Sequence, residues 1–93
     1  MKLGFIGCGN MASAIMGGII KKELMKPEEI IGADVFAPTR ERARETYGIQ
    51  ITDSNMEVVE NAEVIILAVK PQFYESVITE IKDKVKDSQI IIT

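Results

Sequence analysis

The chain has 93 residues, 46% of them hydrophobic and 27% charged, with a formal net charge of −3, one cysteine and no histidine. That length makes one domain with a modest core, and ample hydrophobicity at low net charge excludes a disordered chain. One thiol and no imidazole exclude an internal disulfide, a cysteine-only metal cage, histidine-bearing zinc sites and histidine-based catalysis, so no metal site is expected. The lysines and arginines are interleaved with acids, which leaves no basic patch for nucleic acid. No apolar run reaches the ~18–20 residues of a membrane span. The first residues enter a strand-like segment with no signal-peptide pattern, so a cytoplasmic location is expected.

In chain order, Leu3 to Ile6 is a short apolar run that stops at Gly7, as a buried strand does at a glycine turn. Asn10 to Leu24 reads as a helix with Ala12, Ile15, Met16 and Ile19 on one face. Gly17 and Gly18 lie inside it. Each costs about 1 kcal/mol relative to alanine, so a close approach of helix to sheet is expected there. After a break at Lys26-Pro27-Glu28-Glu29, Ile30 to Phe36 reads as a second strand that Pro38 ends.

Thr39 caps a helix to Tyr47, closed by Gly48. Ile49 to Ile51 is a third strand, and Asp53 or Ser54 caps a helix through Glu60. Val64 to Val69 is apolar on both parities, as in a strand covered on both faces. Gln72 to Val85 is a helix with Val77, Ile78, Ile81 and Val85 inward, and Ile90 to Ile92 opens a fifth strand. That last strand looks cut short, and residues 1–93 read as a piece truncated in or just after it.

Alternating strands and helices give an α/β fold, a doubly wound parallel sheet with right-handed crossovers. The expected strand order is 3-2-1-4-5, with a ligand crevice where the order reverses.

Gly7-Cys8-Gly9-Asn10-Met11-Ala12 follows a strand and opens a helix within a βαβ unit, which makes it a Rossmann dinucleotide fingerprint. Gly7 permits the tight turn, Gly9 clears space for a diphosphate, and Ala12 lets helix and strand pack closely. The free amides of Asn10 and Met11, helped by the helix dipole, face the anion. The position of Cys8 needs only something small that leaves the backbone amides free. Asn10 either touches the ligand or caps the helix.

The fingerprint expects an acid about 20 residues on, at the end of the second strand, to bind the ribose hydroxyls of NAD. Asp34 has roughly that spacing. If Val35 and Phe36 continue the strand, however, Asp34 points outward or caps an edge, and the strand ends at Phe36 or Ala37, neither of which accepts a hydroxyl proton. Thr39 and Arg40 follow at a helix start, and arginine matches a phosphate with its rigid fork. NADP(H) is therefore expected, with NAD(H) possible. Ala68-Val69-Lys70-Pro71 closes the fourth strand at the same crevice, where Lys70 is within reach of a phosphate or ribose, and Asn55 faces the adenosine side. No residue is a convincing general acid, so no catalytic residue is expected in this chain.

Together, Gly4 to Ala12, Ala14-Ile15, Gly17-Gly18, Asn55 before Glu57-Val58-Val59, and Val64 to Pro71 resemble the opening of pyrroline-5-carboxylate reductases over nearly the whole chain. The resemblance implies reduction of 1-pyrroline-5-carboxylate to L-proline with NAD(P)H, in proline biosynthesis. It implies cofactor contacts from Ile6, Gly7, Cys8, Gly9, Asn10 and Met11, from Ala37, from Asn55, and from Ala68, Val69, Lys70 and Pro71. Many relatives carry serine or threonine where Ala37 stands, which shifts weight to Thr39 and Arg40. It further implies a helical C-terminal domain, absent here, that builds most of the substrate site and a homo-oligomer. Two alternatives remain: a free-standing NADP(H)-sensing module, and the cofactor half of another two-domain enzyme, such as a hydroxyacid dehydrogenase or a coenzyme F420-dependent NADP reductase.

Overall fold

The computed structural model describes residues 2–93. Strand β1 (Leu3–Ile6) leads into helix α1 (Asn10–Lys21), and strand β2 (Ile30–Ala33) into helix α2 (Ala37–Tyr47). Strand β3 (Gln50–Thr52) and helix α3 (Asn55–Asn61) follow, then strand β4 (Val64–Leu67), helix α4 (Tyr74–Ile81) and strand β5 (Ile90–Ile92). The five strands are all parallel, in the order β3-β2-β1-β4-β5. This is the doubly wound sheet expected from the alternation of apolar runs.

The strand period of two divides the core into two layers. Ile6, Ile31, Ala33, Ile65 and Leu67 point to one face, where Val58, Val59 and Ala62 of the α3 segment and Val77 and Ile81 of α4 cover them. Leu3, Phe5 and Ile30 point to the other, against Ala12 and Met16 of α1 and Ala43 of α2. Phe5 and Met16 are fully buried, and each contributes roughly 1.5–3 kcal/mol by leaving water. Cover thins toward one margin. Val64 and Ile66 are only partly buried, and Ile90, Ile91 and Ile92 of β5, which pairs only with β4, are all exposed.

Several element ends differ from the sequence reading, each for a local reason. Helix α1 stops at Lys21, not Leu24, because Glu23 adopts a left-handed conformation (φ 56°). Leu24 N then bonds Ile19 O and Glu23 N bonds Ile20 O, the pattern of a Schellman cap without its usual glycine. Strand β2 ends at Ala33, and Val35 and Phe36 are exposed rather than strand residues. Helix α2 begins at Ala37, with Phe36 as its cap in place of Thr39; Pro38 sits in the first turn, where its missing N–H costs nothing. Ser54, not Asp53, caps α3, its Oγ accepting from Glu57 N at 3.3 Å. Ile78 is exposed, and Tyr74 joins Val77 and Ile81 against the core instead. Gly17 faces the ring of Tyr47 at the end of α2, which an added Cβ would meet at 3.3 Å, while Gly18 meets nothing within 4 Å. The close approach is therefore helix to helix, not helix to sheet.

Candidate functional site

Strand order reverses at β1, whose neighbours β2 and β4 lead away in opposite directions. Beyond the C-terminal ends of these strands lies a crevice of about 950 Å³. Its floor is the loop from β1 to α1. Gly7 N donates to Ala33 O at 2.7 Å on one side, and Ala68 N donates to Ile6 O at 2.8 Å on the other. The loop is thus tied to both flanking strands. Gly7 has φ 101°, and a Cβ there would stand 2.5 Å from the Ala68 carbonyl oxygen; only glycine fits.

Gly9 differs from Gly7. It is the N-cap of α1 with an ordinary extended backbone, and a Cβ added to it would meet nothing within 4 Å. The space it leaves belongs to the crevice. The first intrahelical bond runs from Ser13 N to Gly9 O, so the amides of Asn10, Met11 and Ala12 precede the helical ladder. Asn10 makes no capping bond and lines the crevice. These features make a helix-mouth cradle that accepts an anion by backbone N–H groups.

Of the residues expected at the site, Ile6, Gly7, Gly9, Asn10, Met11, Thr39, Asn55, Ala68, Val69, Lys70 and Pro71 line this one crevice. Cys8, Ala37 and Arg40 do not. The Cys8 side chain is fully buried, with its thiol toward Ala33 O at 3.5 Å. Burial, and then the neighbouring Asp34 carboxylate, push that thiol up to about 12, so it carries no nucleophile at neutral pH. Its backbone amide donates to Asp34 Oδ2 at 3.0 Å. Ala37 is the exposed first residue of α2. Arg40 turns its guanidinium onto the Asp34 backbone, Nη1 to O at 2.8 Å, and does not stand free toward the crevice.

The largest correction concerns Asp34. It follows β2 directly and lines the crevice rather than pointing outward. Its Oδ1 accepts from Phe36 N at 3.0 Å while Oδ2 holds Cys8 N. This side-chain turn stops the strand where the β-favouring Val35 and Phe36 implied that it continued. The signal was present in the spacing of the acid from the glycine loop.

The 3₁₀ turn before helix α4 and the helix itself supply a second group that the sequence reading did not place at the site. Phe73, Ser76, Val77 and Glu80 line the opposite wall, a stripe at helical spacing. Asn55 Nδ2 donates to Glu80 Oε1 at 2.9 Å across that wall. Lys70 is exposed at the head of a 3₁₀ turn, Pro71–Phe73, and has no salt-bridge partner among the described residues. Met11, Val35, Phe36 and Phe73 present exposed apolar surface around the mouth. An apolar rim with a few polar anchors is the usual make-up of a small-molecule cleft. No cluster of metal-binding side chains occurs among the described residues, and no helix there is long and apolar enough to cross a membrane.

Comparison with known proteins agrees with this geometry. Residues 2–93 match the family described as NADP oxidoreductase, coenzyme F420-dependent. A pyrroline-5-carboxylate reductase of Methanosarcina acetivorans is 37% identical over 92 residues, covering 99% of this chain and 34% of that protein. The structure of a pyrroline-5-carboxylate reductase from Coxiella burnetii superposes with a TM-score of 0.90 at 32% identity, over 98% of this chain and 33% of the other. That of the Plasmodium falciparum pyrroline carboxylate reductase, solved with NADP bound, superposes with a TM-score of 0.81 at 28% identity, over 98% and 32%. The chain spans about a third of the length of these relatives. With its strand order, helix-mouth cradle and full-length match, the chain belongs to the coenzyme F420-dependent NADP oxidoreductase family, and within it is similar along its length to the pyrroline-5-carboxylate reductases.

Proposed function

We propose that this chain is the dinucleotide-binding domain of a pyrroline-5-carboxylate reductase, and that it holds NADP(H), with NAD(H) accepted in the same crevice. The observation that carries the reading is Gly9: a helix mouth with unladdered amides behind it and open space where any side chain would project. A diphosphate fits that cradle. Gly9, Asn10 and Met11 would hold it, Lys70 would add a cation beside it, and Asn55 with the apolar rim would hold the adenosine end. The name and bound NADP of the Plasmodium falciparum relative support the cofactor. When bound, the reduced nicotinamide would supply a hydride to the C=N carbon of 1-pyrroline-5-carboxylate, and a proton taken up at the ring nitrogen would complete L-proline.

This chain's own share is binding, orientation and exclusion of water along one side of the cofactor. It has no histidine, and its one thiol is buried and protonated at neutral pH. The relatives are about three times as long, and the reading assigns the substrate contacts and a homo-oligomeric contact to the part of such a protein beyond these 93 residues, with a cytoplasmic location. The family match favours a second reading, in which the same domain serves another two-domain NADP oxidoreductase. Similarity to pyrroline-5-carboxylate reductases over 99% of the chain ranks the proline enzyme first.

Titration of NADPH into the 93-residue chain tests the binding claim, with one-to-one saturation expected; no binding would refute it. An assay for proline tests the division of labour. Steady-state turnover of 1-pyrroline-5-carboxylate by this chain alone would show that the substrate site is not elsewhere.

A further inference from the structure

We propose that Glu80 is a positioning residue that makes the crevice select adenine over a purine with a carbonyl in place of the exocyclic amine, by fixing which end of the Asn55 amide faces the base. The inference rests on the dinucleotide reading and deepens it. With the diphosphate in the cradle beyond β1, the nucleoside extends over β2 toward β3, and two strand spacings of about 4.8 Å match the reach of a ribose and its base. The segments leaving β2 and β3 run side by side, since Ala33 pairs with Thr52 and Asp34 N donates to Thr52 O at 3.2 Å. One carries the exposed Val35 and Phe36, apolar cover for a flat ring, and the other leads into Asn55.

The Asn55 side chain is not spent on its own helix. Ser54 caps α3 by accepting from Glu57 N, and the Glu57 carboxylate accepts from Thr52 Oγ1 at 2.7 Å. Asn55 Nδ2 instead donates to Glu80 Oε1 at 2.9 Å, across 25 residues of sequence. Which way an amide faces is decided by its partners. An ionised carboxylate offers acceptors only. Glu80 therefore takes the NH₂ end of Asn55 and leaves the carbonyl end, Oδ1, for a ligand in the crevice that both residues line.

That orientation matters to the base and not to the sugar. A ribose hydroxyl both donates and accepts, so it pairs with either end of an amide. The exocyclic amine of adenine donates, whereas the carbonyl that replaces it in hypoxanthine accepts. Oδ1 pairs with the first and opposes the second. In the open crevice the Asn55–Glu80 bond is exposed to water. A base laid against the pair excludes that water, which strengthens the bond that holds the amide.

The test is calorimetric titration of NADP⁺ and of its hypoxanthine analogue, which has the same charge, with circular dichroism to check folding. The unaltered chain is expected to bind NADP⁺ about 3- to 10-fold more tightly than the analogue, the worth of one hydrogen bond. In Glu80→Ala the amide is free to turn, and the preference should shrink to within about twofold. In Glu80→Lys a donor replaces the acceptor, Oδ1 turns to the lysine, and the preference should reverse. The added charge alters both affinities alike and cancels in their ratio. In an Asn55→Ala background Glu80→Lys should leave the ratio where it was, because Glu80 acts through Asn55. Equal binding of the two ligands by the unaltered chain, or an unchanged ratio in folded Glu80→Lys, overturns the role of Glu80 and leaves the dinucleotide site intact. So does a Glu80→Lys effect that persists without Asn55, since Glu80 would then meet the base itself. Binding of neither ligand by the unaltered chain overturns the dinucleotide reading, and this inference with it.

Discussion

Gly9→Ser separates folding from binding. At this position the backbone is extended (φ −76°) and a Cβ meets nothing within 4 Å, so no strain arises in the ligand-free chain. Serine is at least as good an N-cap as glycine, by a few tenths of a kcal/mol. The melting temperature should therefore move by less than about 4 °C, since 1 kcal/mol shifts a domain of this size by roughly 4–8 °C. Affinity should respond differently. The side chain would fill the cradle in front of Asn10 and Met11, whose amides precede the helical ladder. One lost hydrogen bond to a charged group costs about 1.5–3 kcal/mol, and a diphosphate pushed off the helix axis loses about 0.3–1 kcal/mol more. A loss of roughly 2–4 kcal/mol is about 30- to 1,000-fold in Kd for NADPH. Isothermal titration with NADPH and thermal unfolding without it read the two effects. Affinity within threefold of the unaltered chain, or collapse of the fold, would refute the reasoning.

Gly7→Ala should do the reverse. Its left-handed backbone and the Ala68 carbonyl at 2.5 Å from the new Cβ should remove about 2–4 kcal/mol of stability, read by urea unfolding. Glu23→Gly should stabilise the chain by about 0.5–1 kcal/mol, because glycine takes the left-handed cap position that Glu23 now holds at φ 56°; a lower urea midpoint would contradict this. Cys8 makes stability sensitive to alkali. Its thiol is raised from about 9 to about 12 in the folded chain, so the folded state holds the proton more tightly. The contribution is complete below pH 9 and is lost progressively between pH 9 and about 12. The stability advantage of the unaltered chain over Cys8→Ala should accordingly shrink from pH 8 to 10.5 in urea titrations, and a constant or growing advantage would count against the buried-thiol account.

The parts of this molecule governed by local chemistry were legible in its sequence. Leu3–Ile6 and Val64–Leu67 are strands because apolar runs stop at glycine or near proline, and Gly48 closes α2 with φ 73° where a helix-ending glycine was expected. The glycine loop and Ala68–Pro71 meet at one crevice because the parallel order puts the ends of β1 and β4 side by side. Features decided by side chains reaching across the fold were hidden. Val35 and Phe36 favour a strand by propensity, yet Asp34 ends it with bonds to Phe36 N and to Cys8 N, 26 residues away. Glu23 gives no sign of its left-handed backbone. Whether Gly17 faces sheet or helix depends on where Tyr47 arrives. Phe73, Ser76 and Glu80 escaped notice at the crevice because only the strongly apolar stripe of α4, Val77 included, was read as inward-facing, and toward the core.

The outermost strand has a consequence for the chain in concentrated solution. β5 bonds to β4 along one side only, and its three isoleucines are open to water. An uncovered margin of unpaired N–H and C=O groups, flanked by branched apolar side chains, is a template on which another strand can register. In the 93-residue chain, a lysine in place of Ile91 is expected to weaken association through this edge while leaving the crevice, whose lining includes no residue of β5, untouched.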